Sequence, residues 1–275
     1  CKSDRRIGME SQIHKIHQQL MNKEITCIQL IRDKLDLLNS NTHNTVNSLL
    51  DTMALELASK IDAKIKPGKV AYIKGVEDVV PAAIAQLGFN VKTFEVSELA
   101  GVDLSQYQSV VLGIRIYNVH PELRNFDAKL FEYVKNGGNV VMQYNTASRK
   151  KTALPFGPVP FELTRKRVTQ EDAEVTFLAP NHIILNYPNK ITKADFDNWV
   201  QERGLYFAGN WDESYTPLFS WHDKGEDNQE GALIVTQYGE GQFIYTGISF
   251  FRELPNGVEG AYRLFANILS YSPVK

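Results

Sequence analysis

The sequence predicts an α/β fold, a doubly wound and mostly parallel sheet preceded by an all-helical N-terminal segment. Three observations carry this prediction. Apolar runs at 69–75 (KVAYIKG), 109–118 (SVVLGIRIYN) and 139–146 (NVVMQYNT) each end in a polar or aromatic cluster, as strands do when a parallel sheet presents its carboxyl ends to a site. Helix-like stretches alternate with these runs, and β and α in alternation imply parallel strands with right-handed crossovers. Ahead of residue 67 the apolar residues recur at intervals of three and four, the helical period.

In chain order, residues 1–10 read as a polar tether and 11–66 as helical. Ser11 caps a first short helix with Ile13, Ile16 and Leu20 on its apolar side. Thr26 and Gln29 form a T-x-x-Q capping box ahead of a stripe of Ile28, Ile31, Leu35 and Leu38. A third helix carries Val46, Leu49, Leu50, Met53, Leu57 and Ile61, and Pro67-Gly68 stops it. From 67 to 275 the α/β pattern takes over. The strand at 69–75 is followed by a helix from Asp78 to Leu87 that Gly88 ends, and then by a second strand at 91–97. The run SVVLGI is continuous and apolar, as a strand buried on both faces must be. A helix over 122–136 leads to Gly137-Gly138 and the fourth strand.

Regularity is then lost for some 80 residues rich in Pro, Asn and aromatics. FELTRKRVT and AEVTFLA read as short strands there, and KADFDNWVQERG as a helix. The segment 231–249 is a hairpin turned at Tyr238-Gly239-Glu240-Gly241, and a last helix spans Gly260 to Leu269.

Composition limits the function classes. The chain has 275 residues, 43% hydrophobic and 23% charged, which is globular. With 30 basic and 32 acidic residues the net charge is -2, so no global field favours nucleic acid. The basic groups Arg149-Lys150-Lys151 and Arg165-Lys166-Arg167 read as solvated surface. No apolar run reaches the ~20 residues of a bilayer span. Cys1 and Cys27 make neither a metal spacing nor a disulfide framework. A leading Cys followed by polar KSDRRIG matches a processed bacterial lipoprotein. If Cys1 is a processed N-terminus, the chain is expected to be a periplasmic or membrane-anchored lipoprotein with a lipid at Cys1; the equal alternative is an arbitrary boundary and a soluble chain.

Several long stretches resemble known families. IHKIHQQLMNKEITCIQLIRDKLDLLN and VNSLLDTMALELASKIDAKI resemble the N-terminal helical stretch of the amidase signature family. That family uses a Ser-Ser-Lys triad. Lys74 stands near where its lysine is expected, but no Gly/Ser-rich loop follows, and a lysine without its serines makes no acyl-enzyme. Beyond it, GIRIYN, VKNGGNVVMQYNT, PNHIILNYPNKIT, FDNWVQERGLYFAGNWDESYTPLFS and GQFIYTGISFFRELPNGVEGAYRLFANIL look like the C-terminal domain of large bacterial PIG-L (LmbE-like) proteins. That domain is similar in turn to the class I glutamine amidotransferase-like and ThuA-like folds, which have a flavodoxin-like layout. The resemblance covers 67–273 and implies an accessory domain without catalytic machinery. The HPDD zinc motif of the deacetylase domain is missing, as are a Cys or G-x-S-x-G nucleophile for glutaminase chemistry.

The candidate ligand residues close the strands. Arg115, Tyr117 and Asn118 end the third, and Gln143, Tyr144 and Asn145 end the fourth. Amides, a guanidinium and aromatic faces suit a neutral polyol or sugar. The competing reading has the same groups satisfying loop backbone and packing the irregular insertion. Trp211 and Asp212, and Arg252 after the hairpin, complete the set. Asp212 beside Glu213, and His222 beside Asp223, are the hydrolytic alternative, a base with its orienter. His182 stands alone; His14 and His17 lie three apart without a third ligand. The expectation is therefore a non-catalytic accessory domain that recognises carbohydrate or packs on a partner catalytic domain, with no cofactor and no metal. The alternatives are a hydrolase on sugar or amide substrates and a purely structural domain.

Overall fold

The computed structural model describes residues 61–76, 78–147 and 155–271. The expected tether, the helices before residue 61, Cys1, Cys27, His14, His17 and the run Arg149-Lys150-Lys151 lie outside the described residues.

The α/β region opens with β1 (Lys69–Ile73), α1 (Val80–Gln86), β2 (Asn90–Phe94) and β3 (Ser109–Leu112). It continues with α2 (Ile116–Val119), α3 (Asp127–Lys135) and β4 (Asn139–Gln143). Short strands follow: β5 (Glu162–Leu163), β6 (Arg167–Val168), β7 (Thr176–Phe177), β8 (Gly204–Leu205), β9 (Ala208–Gly209), β10 (Thr216–Pro217) and β11 (Phe219–Ser220). The chain closes with β12 (Leu233–Tyr238), β13 (Gly241–Thr246), α4 (Phe250–Glu253) and α5 (Glu259–Leu269). One seven-stranded mixed sheet runs in the order β10-β12-β13-β4-β3-β1-β2. The pairings from β2 through β1, β3 and β4 to β13 are parallel, and β12 and β10 each join antiparallel.

Alternation along each strand explains the layers. Val70 and Tyr72 of β1 pack into one core with α1 and α5, while Ala71 and Ile73 pack into the other with α3. Successive side chains of a strand point to opposite faces, so a strand covered on both sides must be apolar throughout. β3 and β4 are buried at every position. Each Leu or Phe buried this way contributes roughly 1.5–3 kcal/mol. Polar groups close the amino-terminal edge, where Asn139 donates to Ser109 Oγ at 2.7 Å and to the carbonyl of Ile268 at 2.9 Å.

Three expectations change. Residues 61–66, read as the tail of a helix, run without helix; Ile61, Ala63 and Ile65 pack on the α1–α5 core, and Lys64 and Lys66 donate backbone N–H groups to Asn189 and Ser270. The helix expected over 122–136 divides into a 3₁₀ turn at Pro121–Phe126 and α3. KADFDNWVQERG forms only a 3₁₀ turn at Lys193–Phe196. A Thr192–Asp195 capping box starts that turn, but Asn198 and Gln201 then take φ of 58° and 65°, which breaks any helix. The buried Phe196, Trp199 and Arg203, spaced like a helix face, are drawn instead into an aromatic nest with Phe219 and Trp221. The Arg203 guanidinium bonds the carbonyls of Phe196 and Ala173 inside it.

Candidate functional site

Strand order reverses between β1 and β3, where open α/β sheets place their ligand crevice. Here the crevice is closed by backbone. Val76 N–H donates to the Ile114 carbonyl at 3.0 Å, and Gly113 N–H to that of Ile73 at 2.8 Å. A Cβ at Gly75 would lie 2.2 Å from the Ile114 oxygen, and one at Gly113 would lie 2.6 Å from Gly75 N, so only glycines allow the approach. Beneath this closure Gln143, 3% exposed, donates to the Tyr72 hydroxyl at 3.1 Å, which donates to Asp78 Oδ2 at 2.7 Å. Burial, and then Asp78, push the Tyr72 hydroxyl far above its ordinary range. Burial also raises the Asp78 carboxyl, against bonds from Tyr72 and Val80.

After β3 the chain makes a sharp strand-to-helix turn. Arg115, at φ 56° and ψ 20°, is the cap residue ahead of α2. Its N–H is fixed by the Tyr144 carbonyl at 2.8 Å. A left-handed conformation costs a non-glycine residue roughly 1–2 kcal/mol. In α/β hydrolases such a turn carries the nucleophile. An exposed arginine stands there in this chain.

The amides predicted nearby tie the two strand ends together. Tyr117 N–H donates to Asn145 Oδ1 at 2.8 Å, and Asn145 Nδ2 donates to the Gln143 carbonyl at 3.1 Å. Thr146 N–H donates to Asn118 Oδ1 at 2.8 Å. The Tyr117 hydroxyl donates to Asp127 Oδ1 at 2.7 Å, and the Arg124 guanidinium lies 4.7 Å from its ring centre. Gln143, Asn145, Tyr117 and Asn118 thus spend these bonding groups on the fold.

Tyr144 has a different setting. Its ring, 8% exposed, lies parallel to Tyr206 at 6.0 Å between centroids and against Phe251 at 5.2 Å. Burial raises its hydroxyl pKa, while the charges of Arg115 and Arg252 oppose the rise and Tyr206 and Glu202 add to it. Arg252 pairs with Glu202 Oε1 at 2.8 Å and bonds Gln201, and its guanidinium lies 5.0 Å from the Phe251 ring centre. Among the described residues the Arg115 guanidinium has no ion pair and no hydrogen bond. Arg115, Arg252 and Glu202 together leave one positive charge beside a half-exposed Tyr206 and Phe251. Tyr206, Phe251 and Glu202 carried no sequence signal; only the return of the insertion to the end of β13 brings them here.

The remaining candidates stand elsewhere. Trp211 packs on the α3-side core with Phe156 and Tyr238, and Asp212 N–H donates to the Pro160 carbonyl at 3.1 Å. Asp212 Oδ1 accepts from Ser214 N–H at 2.9 Å, and Ser214 holds its carboxyl below the usual range. The reading of Asp223 as orienter of His222 needs correction. His222 Nδ1 meets the Asp223 backbone carbonyl at 2.9 Å. The Asp223 carboxylate accepts from the N–H groups of Thr169 and Gln170 and from the Thr169 hydroxyl. Burial would raise that carboxyl, but these bonds prevail and lower it. His182 Nδ1 accepts from Ile184 N–H at 3.2 Å, and burial lowers its pKa. Among the described residues no three His, Cys, Asp or Glu side chains are grouped to hold a metal ion, and no helix is long and apolar enough to cross a membrane.

No family model and no curated protein matches the chain. Solved structures resemble it at low similarity. The β-galactosidase from Rahnella sp. R3 is 14% identical over 72% of this chain and 30% of its own, with a TM-score of 0.40. A GMP synthase-type protein from Thermoplasma acidophilum is 14% identical over 73% of this chain and 93% of its own, with a TM-score of 0.44. PurLQS from Thermotoga maritima is 15% identical over 75% of this chain and 99% of the matched chain, with a TM-score of 0.43. The chain thus spans under a third of the Rahnella enzyme's length.

Proposed function

We propose that this chain is a non-catalytic accessory α/β domain, of the PIG-L C-terminal kind that residues 67–273 resemble, and that it recognises carbohydrate at the ends of β3, β4 and β13. One observation carries the reading: the strand-to-helix turn suited to a nucleophile holds Arg115 in a left-handed conformation. A guanidinium stays protonated and offers donors only, so it binds but does not attack. In this reading Arg115 donates to sugar oxygens, the faces of Tyr206 and Phe251 receive the C–H side of the ring, and Arg252, braced by Glu202, fixes the far edge. Tyr144 supports the platform from beneath.

The test is a titration of the full chain against neutral, N-acetylated and acidic oligosaccharides, with product analysis in the same samples. Saturable binding without new products is expected. Arg115→Ala should weaken it about tenfold, the ~1.4 kcal/mol of a lost charge-assisted hydrogen bond. Hydrolysis of any sugar or amide in the panel would replace this reading with the enzymatic one. Binding untouched by Arg115→Ala would move the site elsewhere.

A further inference from the structure

A second place at the strand ends has its own cavity, on the far side of the Gly75–Gly113 contact from Arg115. A space of about 420 Å³ lies between the β1–α1 loop and the end of β2, beside the backbone contact: Gly75 and Val76 line it with Tyr72, Lys74, Asp78, Pro81 and Glu95. That volume is in the range of small-molecule sites, roughly 300–1,000 Å³.

The bonding of Asp78 shows what the cavity lacks. Its Oδ2 accepts from the Tyr72 hydroxyl at 2.7 Å and its Oδ1 from Val80 N–H at 2.8 Å. The Tyr72 hydroxyl is itself held by Gln143, so the carboxylate is fixed by neutral donors on a rigid floor. Among the described residues no cation pairs with Asp78. Asp78 is half-buried, so its carboxylate has lost part of its water and a cation placed beside it would stabilise it. Each Asp78 oxygen still has acceptor capacity for a further donor. At the rim Lys74 Nζ meets Glu95 Oε1 at 2.6 Å, with both side chains half exposed. Among the described residues the charged groups lining the cavity are Asp78, Glu95 and Lys74, and Lys74 is paired with Glu95. Pro81 supplies an apolar wall.

We propose that this cavity binds a small organic primary amine, whose ammonium pairs with Asp78 and whose carbon skeleton lies on Pro81. Three ammonium hydrogens can bridge Asp78 and the inner side of Glu95, a donor count that a neutral hydroxyl does not match. An aliphatic amine and an amino sugar share this chemistry, and the probes below separate them. The site does not depend on the strand-end proposal, because none of its residues belongs to the Arg115 surface.

The experiment titrates the full chain calorimetrically with putrescine and with glucosamine, and with 1,4-butanediol and glucose as their neutral counterparts. Saturable binding of at least one amine, at least tenfold tighter than its neutral counterpart, is expected. Asp78→Asn should abolish that preference, while Arg115→Ala leaves it intact. Asparagine keeps an acceptor for Val80 N–H, so the start of α1 is retained, and a thermal melt checks this. Should the variant not fold, amide shift mapping on the wild-type protein decides: perturbation at Lys74–Val76 and Asp78–Val80 supports the site. Equal binding of amine and neutral compound, no saturable amine binding, or a preference surviving Asp78→Asn would each overturn it.

Discussion

Between β1 and β3 the loops meet backbone to backbone, at Val76 N and the Ile114 oxygen and across Gly75 and Gly113. Between β4 and β13 the same sheet ends in side chains instead: Tyr144 beneath Tyr206 and Phe251, with Arg115 and Arg252 at the sides. Both regions lie at the carboxyl ends of parallel strands, and topology alone nominates the first. The contrast teaches that topology selects an edge of the sheet, while the residues filling the loops decide which part of that edge stays open. Glycines permit the backbone contact at one place, and at the other an exposed Arg115 in a left-handed conformation caps α2.

The largest cost of a substitution should follow from forcing the closed half apart. Gly75→Ala places a methyl on the Ile114 carbonyl and should cost about 3 kcal/mol, at the upper end for overpacking, read from urea denaturation. A cost under ~0.5 kcal/mol, typical of surface changes, would mean that the closure is soft and the contrast false.

The open half should instead respond to pH. Glu253 of α4 is fully buried and accepts from Val200 N–H at 3.0 Å, next to the Gln201–Glu202 pair that braces Arg252. Burial is the main cause that pushes its carboxyl up to about 8. The ordinary unfolded value is about 4.3, so the folded state binds the proton more tightly. Its contribution is complete below about pH 4.3 and is lost as pH rises through about 8, on the order of 4–5 kcal/mol. Denaturation at pH 5 and pH 8.5 should show this loss, and Glu253→Gln should remove most of it. An unchanged slope in the variant would show that Glu253 is not the responsible group.

A smaller cost is expected where the two strand ends are tied. Asn145→Ala leaves Tyr117 N–H without its acceptor and should cost about 2 kcal/mol in the same assay. The smallest effect should have the opposite sign. Arg115→Gly relieves the left-handed strain and should be neutral or stabilising by up to ~1 kcal/mol, while weakening sugar binding. A clear loss of stability would make Arg115 a structural residue and erase the contrast.

Much of the sheet was legible because its signals are local. Continuous apolar runs give β3 and β4, alternation gives the order of elements, and the Gly-Glu turn gives the hairpin of β12 and β13. Arg115 and Tyr144 were legible as strand-end residues, though their backbone and ring settings were not. The insertion resisted reading because its helix-like spacing of Phe196, Trp199 and Arg203 serves a nest closed by Phe219 and Trp221, some twenty residues further on. Whether Gln143 meets a ligand or serves the fold stays open in the sequence, since nothing in its neighbourhood announces Tyr72, 71 residues away. Tyr206 and Phe251 were invisible for the same reason, as long-range packing rather than pattern brings them to Tyr144.

The central claim is that Arg115 makes the strand-to-helix turn a binding position and not a catalytic one. Its most direct test follows one oligosaccharide titration of the full chain by calorimetry and by product analysis, for wild type and Arg115→Ala. The account predicts saturable binding by the wild type, no products over prolonged incubation, and about tenfold weaker binding by the variant. Product formation by the wild type, or equal affinity in the two proteins, would contradict it.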